Sequence, residues 1–379
     1  MYTIALKMLL GDRAKYIMLI SGLTFASLLM TQQASVFCGL MRWTTATIRN
    51  TRAAVWVVDA RVEQVNEIKA LRDTDLGRVR SVAGTSWAVP MYYTLLQAKL
   101  KDGSFKQIQL VGLDSSTLVG APARITKGNL QDIFQNNAIL MDQVGVERLS
   151  AGQGKRIDIG DTLEINDNEA RIVALAETER SFLGMPYVYT TYERAISYAP
   201  KTRSMMSYVL AQPIAGISPT ELARRIERET GLRAYTEEEF KWATINWYIK
   251  NTGIPMSFGT TVLLGIIVGI AIAGQTFYSF VLENLRHLGA LKAMGVSTAL
   301  LARMLVLQSF TVGIVGYGMG VGLATAFGNM VLKKGQPPFF MPPQVLFFSF
   351  GTIVFICAFA AFLGIRRVTK LEPAMVFRA

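Results

Sequence analysis

The sequence predicts an α-helical membrane protein with four transmembrane helices and a large α+β extracytoplasmic domain inserted between the first and second spans. Three observations carry that prediction. The 379 residues are 51% hydrophobic and 17% charged, too apolar for a wholly soluble chain. Four apolar runs reach the roughly 20 residues that a helix needs to cross about 30 Å of hydrocarbon. Between the first two runs lies a polar stretch, Arg42–Ser257, long enough for a domain of its own.

A basic N-terminal segment, residues 1–15, precedes the first span at 16–41, whose apolar run is Tyr16–Cys38. That run exceeds the core of a signal peptide and no A-x-A cleavage site follows it, so it reads as an uncleaved span. The second span is 258–282 and is followed by a connecting helix at 283–302. The third span is 303–332, a short outer loop fills 333–344, and the fourth span, 345–366, ends at Arg366 and Arg367 ahead of a tail at 367–379. In the outer loop, Phe339 and Phe340 stand among Pro337, Pro338, Pro342 and Pro343, where they reach headgroup level.

Charge then orients the spans. The stretch Arg42–Ser257 holds 27 Lys and Arg against 24 Asp and Glu, whereas the rest of the chain holds 12 against 3. Most of the net charge of +12 therefore flanks the apolar runs, where Lys and Arg keep short segments on the cytoplasmic side. Both termini are therefore expected on the cytoplasmic side and residues 42–257 on the outer side. Lys333 and Lys334 are the exception, two basic residues on the outer side against ten elsewhere. Nucleic acid is not an expected partner, because the excess is a topology signal rather than a phosphate-binding patch.

The polar stretch reads as a folded domain. Leu95–Leu100 and Phe105–Leu110 flank Asp102-Gly103, a hairpin signal, and Asp161–Ile165 and Ala170–Leu175 flank Asn166-Asp167-Asn168. Tyr187–Tyr192 is a further β-like run. Ser218-Pro219-Thr220-Glu221 is a capping box with proline at the first helical position, predicting a helix over Pro219–Thr230. Two helical stalks are expected to join the domain to the membrane. Trp43–Val58 carries no helix breaker, and Thr236-Glu237-Glu238-Glu239 caps a second helix that Gly253 and Pro255 interrupt before the second span.

The inventory excludes several chemistries. Cys38 and Cys357 lie in or beside apolar runs, and His287 is the one histidine, so disulfide frameworks, zinc sites and Ser-His-Asp triads find no residues in the polar stretch. No catalytic or metal-ligating residues are assigned. Gly152-Gln153-Gly154-Lys155 lacks the spacing of a P-loop and has Arg156 where Ser or Thr is needed. The spans hold no ionisable residue except at their ends, which argues against ion channels and proton-coupled pumps. Gly316, Gly318, Gly320 and Gly322 form two overlapping G-x-x-x-G pairs in the third span, and Gly265 and Gly269 one in the second. Such residues let helix backbones approach closely, within a chain or across a dimer.

Between the second and third spans, Glu283 through Ser297 reads Glu-Asn-Leu-Arg-His-Leu-Gly-Ala-Leu-Lys-Ala-Met-Gly-Val-Ser. Gly295 suits a left-handed helix C-cap and Ser297 the N-cap of the next helix. This connector resembles that of the MacB/FtsX-like permeases of ABC transporters, with the form E-x-x-R-E-x-G-x-x-K/R-A-x-G-A. The single first span, large outer domain, three closing spans and tail Arg366–Phe377 resemble the same family. The tail and the phrase Leu291–Gly295 look most like its DevC-type branch.

The resemblance implies that the connector is a coupling helix seated in a groove of an ATPase, with Glu283, Arg286, His287, Gly289, Lys292 and Gly295 facing or shaping the contact. His287 departs from the family's usual glutamate. The chain itself binds no cofactor; ATP and magnesium sit on the ATPase, two copies of which serve a permease homodimer. MacB itself fuses its ATPase to the permease, whereas here the ATPase is expected on another polypeptide. A DevC-like exporter further implies a periplasmic membrane-fusion adaptor and an outer-membrane channel, with an amphiphile or small protein as cargo. The family also includes lipoprotein-extraction permeases and FtsX-like regulators that activate cell-wall hydrolases without transport.

Overall fold

The computed structural model describes residues 2–11, 13–151, 156–200, 205–334 and 337–369. The segment Gly152–Lys155 and the tail from Lys370 onward lie outside the described residues. The chain divides into two units, Met1–Leu40 with Gly253–Ala379, and Met41–Thr252.

Helices α1 (Tyr2–Gly11) and α2 (Arg13–Thr44) open the chain. In the second unit, α3 (Ala46–Thr51) stops at Arg52, whose φ of 56° lies in the left-handed region. The helix expected through Val58 therefore ends seven residues early, and β1 (Val55–Val58) is a strand instead. Its residues, Val-Trp-Val-Val, are β-branched or aromatic: they lose rotamer freedom in a helical turn but pack well on a pleated surface. All four are buried.

Next come α4 (Asp73–Arg80), β2 (Thr85–Lys99), β3 (Phe105–Leu113), β4 (Arg124–Lys127), β5 (Ala138–Asp142) and α5 (Gln143–Ser150). They are followed by β6 (Thr162–Ile165), β7 (Asn168–Glu177), β8 (Tyr187–Thr191), α6 (Tyr192–Tyr198) and β9 (Tyr208–Pro213). α7 (Pro219–Thr230), β10 (Arg233–Thr236) and α8 (Glu237–Asn251) complete the unit. The 15-residue strand β2 organises the domain: Thr85–Met91 pairs with β9, and Tyr92–Lys99 with β3. On one side β10, β1, β9 and β2 form an antiparallel sheet. On the other the pairing runs β2-β3-β8-β5-β7-β6 and returns to β2 through Ala98↔Ile165 and Lys99↔Glu164. Both sequence-read hairpins are present, the second turning at Asn166 and Asp167 with φ of 48° and 63°, as a type I′ turn requires.

The α7 cap differs from expectation in one respect. The Ser218 hydroxyl accepts from the Glu221 N–H at 3.1 Å, but the Glu221 carboxylate turns to Arg225, 2.9 Å away and one helical turn on, and so leaves the box half formed. At α8 the box is complete: Thr236 accepts from the Glu239 N–H, and the Glu239 carboxylate accepts from the Thr236 N–H at 2.8 Å.

Asp142 caps α5 from a buried position, 1% exposed, accepting from the Gly145 N–H at 2.7 Å and the Thr178 hydroxyl at 3.2 Å. Burial outweighs these bonds and pushes its carboxyl up to about 6. The folded state thus holds this proton more tightly than the unfolded chain. The associated stability, about 3 kcal/mol, is complete below pH ~4 and is lost as pH rises through about 6. Asp142→Asn keeps the acceptor for Gly145 and is expected to flatten that slope. Denaturant melts of the purified protein at pH 4.5, 5.5 and 7 check it, and an unchanged slope contradicts it.

The first unit continues with α9 (Ile254–Glu283), α10 (Leu285–Ala293), α11 (Thr298–Lys334) and α12 (Pro343–Thr369). α2, α9, α11 and α12 are each long and apolar enough to cross a membrane. The stalk helix α8 ends at Asn251 and the break before the second span falls at Gly253; Pro255 sits in the first turn of α9, where its missing N–H costs no helical bond. The basic N-terminal segment is itself helical and packed: Ala5 and Leu9 of α1 are buried, and Gln308 of α11 donates to the Ala5 carbonyl at 2.7 Å. Phe339 seats between α2 and α11. A Cβ on Gly39 would lie 2.7 Å from its backbone nitrogen, and one on Gly328 would meet its ring.

Candidate functional site

The connector is built by helix termini. α9 ends at Asn284, whose side chain donates to the Phe280 carbonyl at 2.9 Å, and α10 begins at the next residue. α10 closes in a Schellman motif: the Val296 N–H donates to Leu291 at 3.1 Å and the Gly295 N–H to Lys292 at 3.1 Å. Gly295 has φ of 93°, a conformation that a Cβ disfavours, which explains glycine there. Ser297 then caps α11, its hydroxyl accepting from the Leu300 N–H at 3.3 Å.

This short helix divides the six sequence-read residues. Leu288 and Gly289 are buried, so Gly289 shapes the helix's packing rather than its outer face. Arg286 and His287 are exposed, and Lys292 is half-buried. Glu283 pairs with Lys15 at the start of α2, which ties the connector to the first span. Glu283, Asn284 and His287 line an open cavity of about 690 Å³ together with Met8, Gly11 and Arg13. Sequence reading missed Met294, which is 73% exposed one turn beyond Ala290 on the Arg286 face. An exposed methionine beside two cations is a signal of an adaptable docking surface.

The glycine positions divide in the same way. A Cβ on Gly316 would lie 2.7 Å from Leu23 Cβ, and one on Gly320 would lie 2.5 Å from Ser27 Cβ and 2.7 Å from the Thr24 carbonyl oxygen. One on Gly269 would meet Ala26 at 2.8 Å, and one on Gly265 would make ordinary contact with Met30 at 3.5 Å. A Cβ on Gly318 or Gly322 would have nothing within 4 Å among the described residues. Only one of the two overlapping pairs therefore joins α11 to α2; a helix turns 100° per residue, so positions two apart cannot share a face.

In the second unit the stalk roots form a separate cluster. Arg42 donates to Glu179 through Nε at 3.1 Å and also through its terminal nitrogen. Asn50 and Glu179 exchange two bonds, Asn50 Nδ2 to the Glu179 carbonyl at 3.0 Å and the Glu179 N–H to Asn50 Oδ1 at 2.9 Å. The Phe182 N–H donates to the Trp43 carbonyl at 3.1 Å, and the Phe182 ring lies 4.9 Å from that of Tyr248 on α8. Asn66 donates to the Thr44 carbonyl at 3.2 Å, and Val65 N–H to Thr244 at 3.1 Å. Phe240, near the start of α8, packs on Trp56 of β1 at 5.7 Å. Both stalks are thus fastened to the same loop, residues 178–186, and to the same sheet.

Among the described residues no group of His, Cys, Asp or Glu is placed to hold a metal ion. Membrane-length helices, a domain between the first two and an exposed connector between the next two define the class: a multipass α-helical membrane protein with an inserted α+β domain. Residues 247–373, about a third of the chain, match the family profile described as FtsX-like permease C-terminal, and that part of the chain is an FtsX-like permease domain. Two proteins of Mycobacterium tuberculosis, from strains CDC 1551 / Oshkosh and H37Rv and both named uncharacterized ABC transporter permeases, are each 23% identical over 315 residues. The match covers 80% of this chain and 78% of theirs. Among solved structures, the periplasmic region of MacB from Actinobacillus actinomycetemcomitans aligns with 54% of this chain and 96% of its own (14% identity, TM-score 0.38). The extracellular domain of the noncanonic ABC-type transporter YknZ from Gram-positive bacteria aligns with 48% and 99% (12% identity, TM-score 0.34).

Proposed function

We propose that this permease is the membrane subunit of an ABC-type exporter of the MacB and DevC kind. Two ATPase copies, carrying ATP and magnesium, press on the α10 connectors of a permease homodimer, and the stalks carry that movement to the domain Met41–Thr252. The chain lies in a bacterial inner membrane with its termini in the cytoplasm and the domain in the periplasm, as the basic residues flanking the spans support. There the domain drives an amphiphile or small protein through a membrane-fusion adaptor and an outer-membrane channel. The phrase Leu291–Gly295 and the tail support the DevC-type branch.

The observation that carries the reading is the connector, a capped helix of nine residues exposing Arg286 and His287, with Met294 exposed at its C-cap. Purifying the tagged chain in mild detergent is expected to bring down an ABC ATPase and an adaptor. Arg286→Glu with Lys292→Glu is expected to lower the bound ATPase at least about tenfold, the effect of losing two charge-assisted contacts. Undiminished ATPase binding by that variant would refute the coupling role. A cell-wall hydrolase in place of the adaptor would turn the reading to a non-transporting regulator.

A further inference from the structure

The cavity beside the connector carries an unmatched charge. Its walls come from α1 (Met8, Gly11), the first residue of α2 (Arg13), the last of α9 (Glu283) and the connector (Asn284, His287), all within one unit. Glu283 is held by Lys15, so its negative charge is already matched. Arg13 and His287 are exposed and make no hydrogen bond or ion pair among the described residues. The guanidinium fork of Arg13 thus lines the cavity with its donors unpaired, beside an imidazole N–H that can donate as well. A charged cavity of about 330 Å³ in the other unit differs: it sets Lys101 and Arg156 against Asp102 and Asp161, and so offers a ligand no net charge.

Depth and size select the ligand. The apolar run of α2 begins at Tyr16, three residues after Arg13, and that of α9 closes at Glu283. The cavity therefore lies where hydrocarbon gives way to headgroups, the level of lipid phosphates. At about 690 Å³ it falls in the roughly 300–1,000 Å³ range of sites for organic ligands, far more than an inorganic ion fills. Met8 supplies a soft apolar wall for the first carbons of an acyl chain. Arg286, Arg303, Arg366 and Arg367, at the same ends of the spans, add to the positive field.

We propose that this cavity binds the headgroup of an anionic phospholipid, Arg13 taking two phosphate oxygens while His287 and Asn284 donate beside it. The Glu283–Lys15 pair sets the preference. A free carboxylate next to Arg13 would match a zwitterion such as phosphatidylethanolamine, whereas a neutralised one leaves a net positive site that fits a headgroup such as phosphatidylglycerol. A lipid held there bridges α1, the foot of α2 and the connector, which makes the connector's position sensitive to lipid composition. The site needs only that α2 and α9 cross the membrane, and it stands apart from the exporter reading.

The test is native mass spectrometry of the full chain released from nanodiscs that hold phosphatidylglycerol, phosphatidylethanolamine and phosphatidylcholine in equal amounts with identical acyl chains. Phosphatidylglycerol adducts are expected to exceed each of the others at least about fivefold, and Arg13→Gln to lower them about fivefold, the effect of one basic residue on an anionic lipid. Arg367→Gln, the same change of charge at an exposed position on α12 away from the cavity lining, is expected to leave them unchanged. His287→Ala is expected to act in the direction of Arg13→Gln and carries the test if that variant fails to fold. No preference among the lipids, or an equal loss in Arg367→Gln, overturns the proposal. Displacement of the lipid by excess inorganic phosphate overturns it as well, making this a site for the free ion. Arg13→Gln that keeps its lipid also overturns it, and a simultaneous loss of co-purified ATPase would assign the cavity to that partner instead.

Discussion

Leucine at Gly316 or Gly320 is expected to abolish recovery of folded protein, while leucine at Gly318 or Gly322 is expected to leave recovery unchanged. At the first pair even a bare Cβ would come within 2.8 Å of α2, and for Gly320 one of the atoms met is a backbone carbonyl oxygen that no rotamer change can move. A four-carbon side chain must then drive the two helices apart. Overpacking a well-fitted interior costs about 1–3 kcal/mol, and more where backbone must shift. The separation also exposes Ser27, whose hydroxyl now donates to the Tyr317 carbonyl at 3.3 Å. The second pair points into open space, and leucine there is at home against lipid. Detergent-solubilised yield and thermal melting by size-exclusion fluorescence provide the measurement. Equal behaviour of the four variants would show that α11 does not meet α2 along this edge.

The second large effect lies at the stalk roots. Asn50→Ala is expected to raise amide exchange in residues 178–186 at least about tenfold and to lower stability by about 2 kcal/mol, because it strands both the N–H and the carbonyl of Glu179. The loop would then depend on the Arg42 ion pair and the Phe182 contacts. Arg42→Gln is expected to do less, since about a third of each partner is exposed and water screens the pair. Hydrogen exchange measured by mass spectrometry on the full chain reads both effects. If the loop stays protected in Asn50→Ala, the reciprocal amide bonds are not what holds it.

The sequence made the membrane helices, the connector's two caps and both hairpins legible, because each is written in local terms: length of apolar run, a glycine after a helix, a turn pair between alternating residues. The stalk was misread for a related reason. Val55–Val58 lacks helix breakers, and only its pairing with β9 and β10, strands 152 to 181 residues away, decides that it is extended. The split of the glycine run was present in its spacing, since steps of two cannot lie on one helix face, yet which pair faces α2 depends on the Leu23 and Ser27 partners. Met294 was passed over because an isolated methionine carries no pattern. The clamp on residues 178–186 joins positions 66 to 139 residues apart and has no local signature.

Strand β2 sets a limit on how the outer domain can be dissected. Because Thr85–Met91 belongs to one sheet and Tyr92–Lys99 to the other, no cut in the chain releases two complete halves. A fragment beginning after β2 deprives β9 of both its neighbours, β1 and β2; one retaining β2 without β9 bares the edge of its first seven residues. Unpaired edges of that length recruit other chains. Truncations designed to isolate either sheet are therefore expected to yield aggregates, and insertions meant to loosen the domain belong at the Asp102-Gly103 and Asn166-Asp167 tips, where no ladder is interrupted.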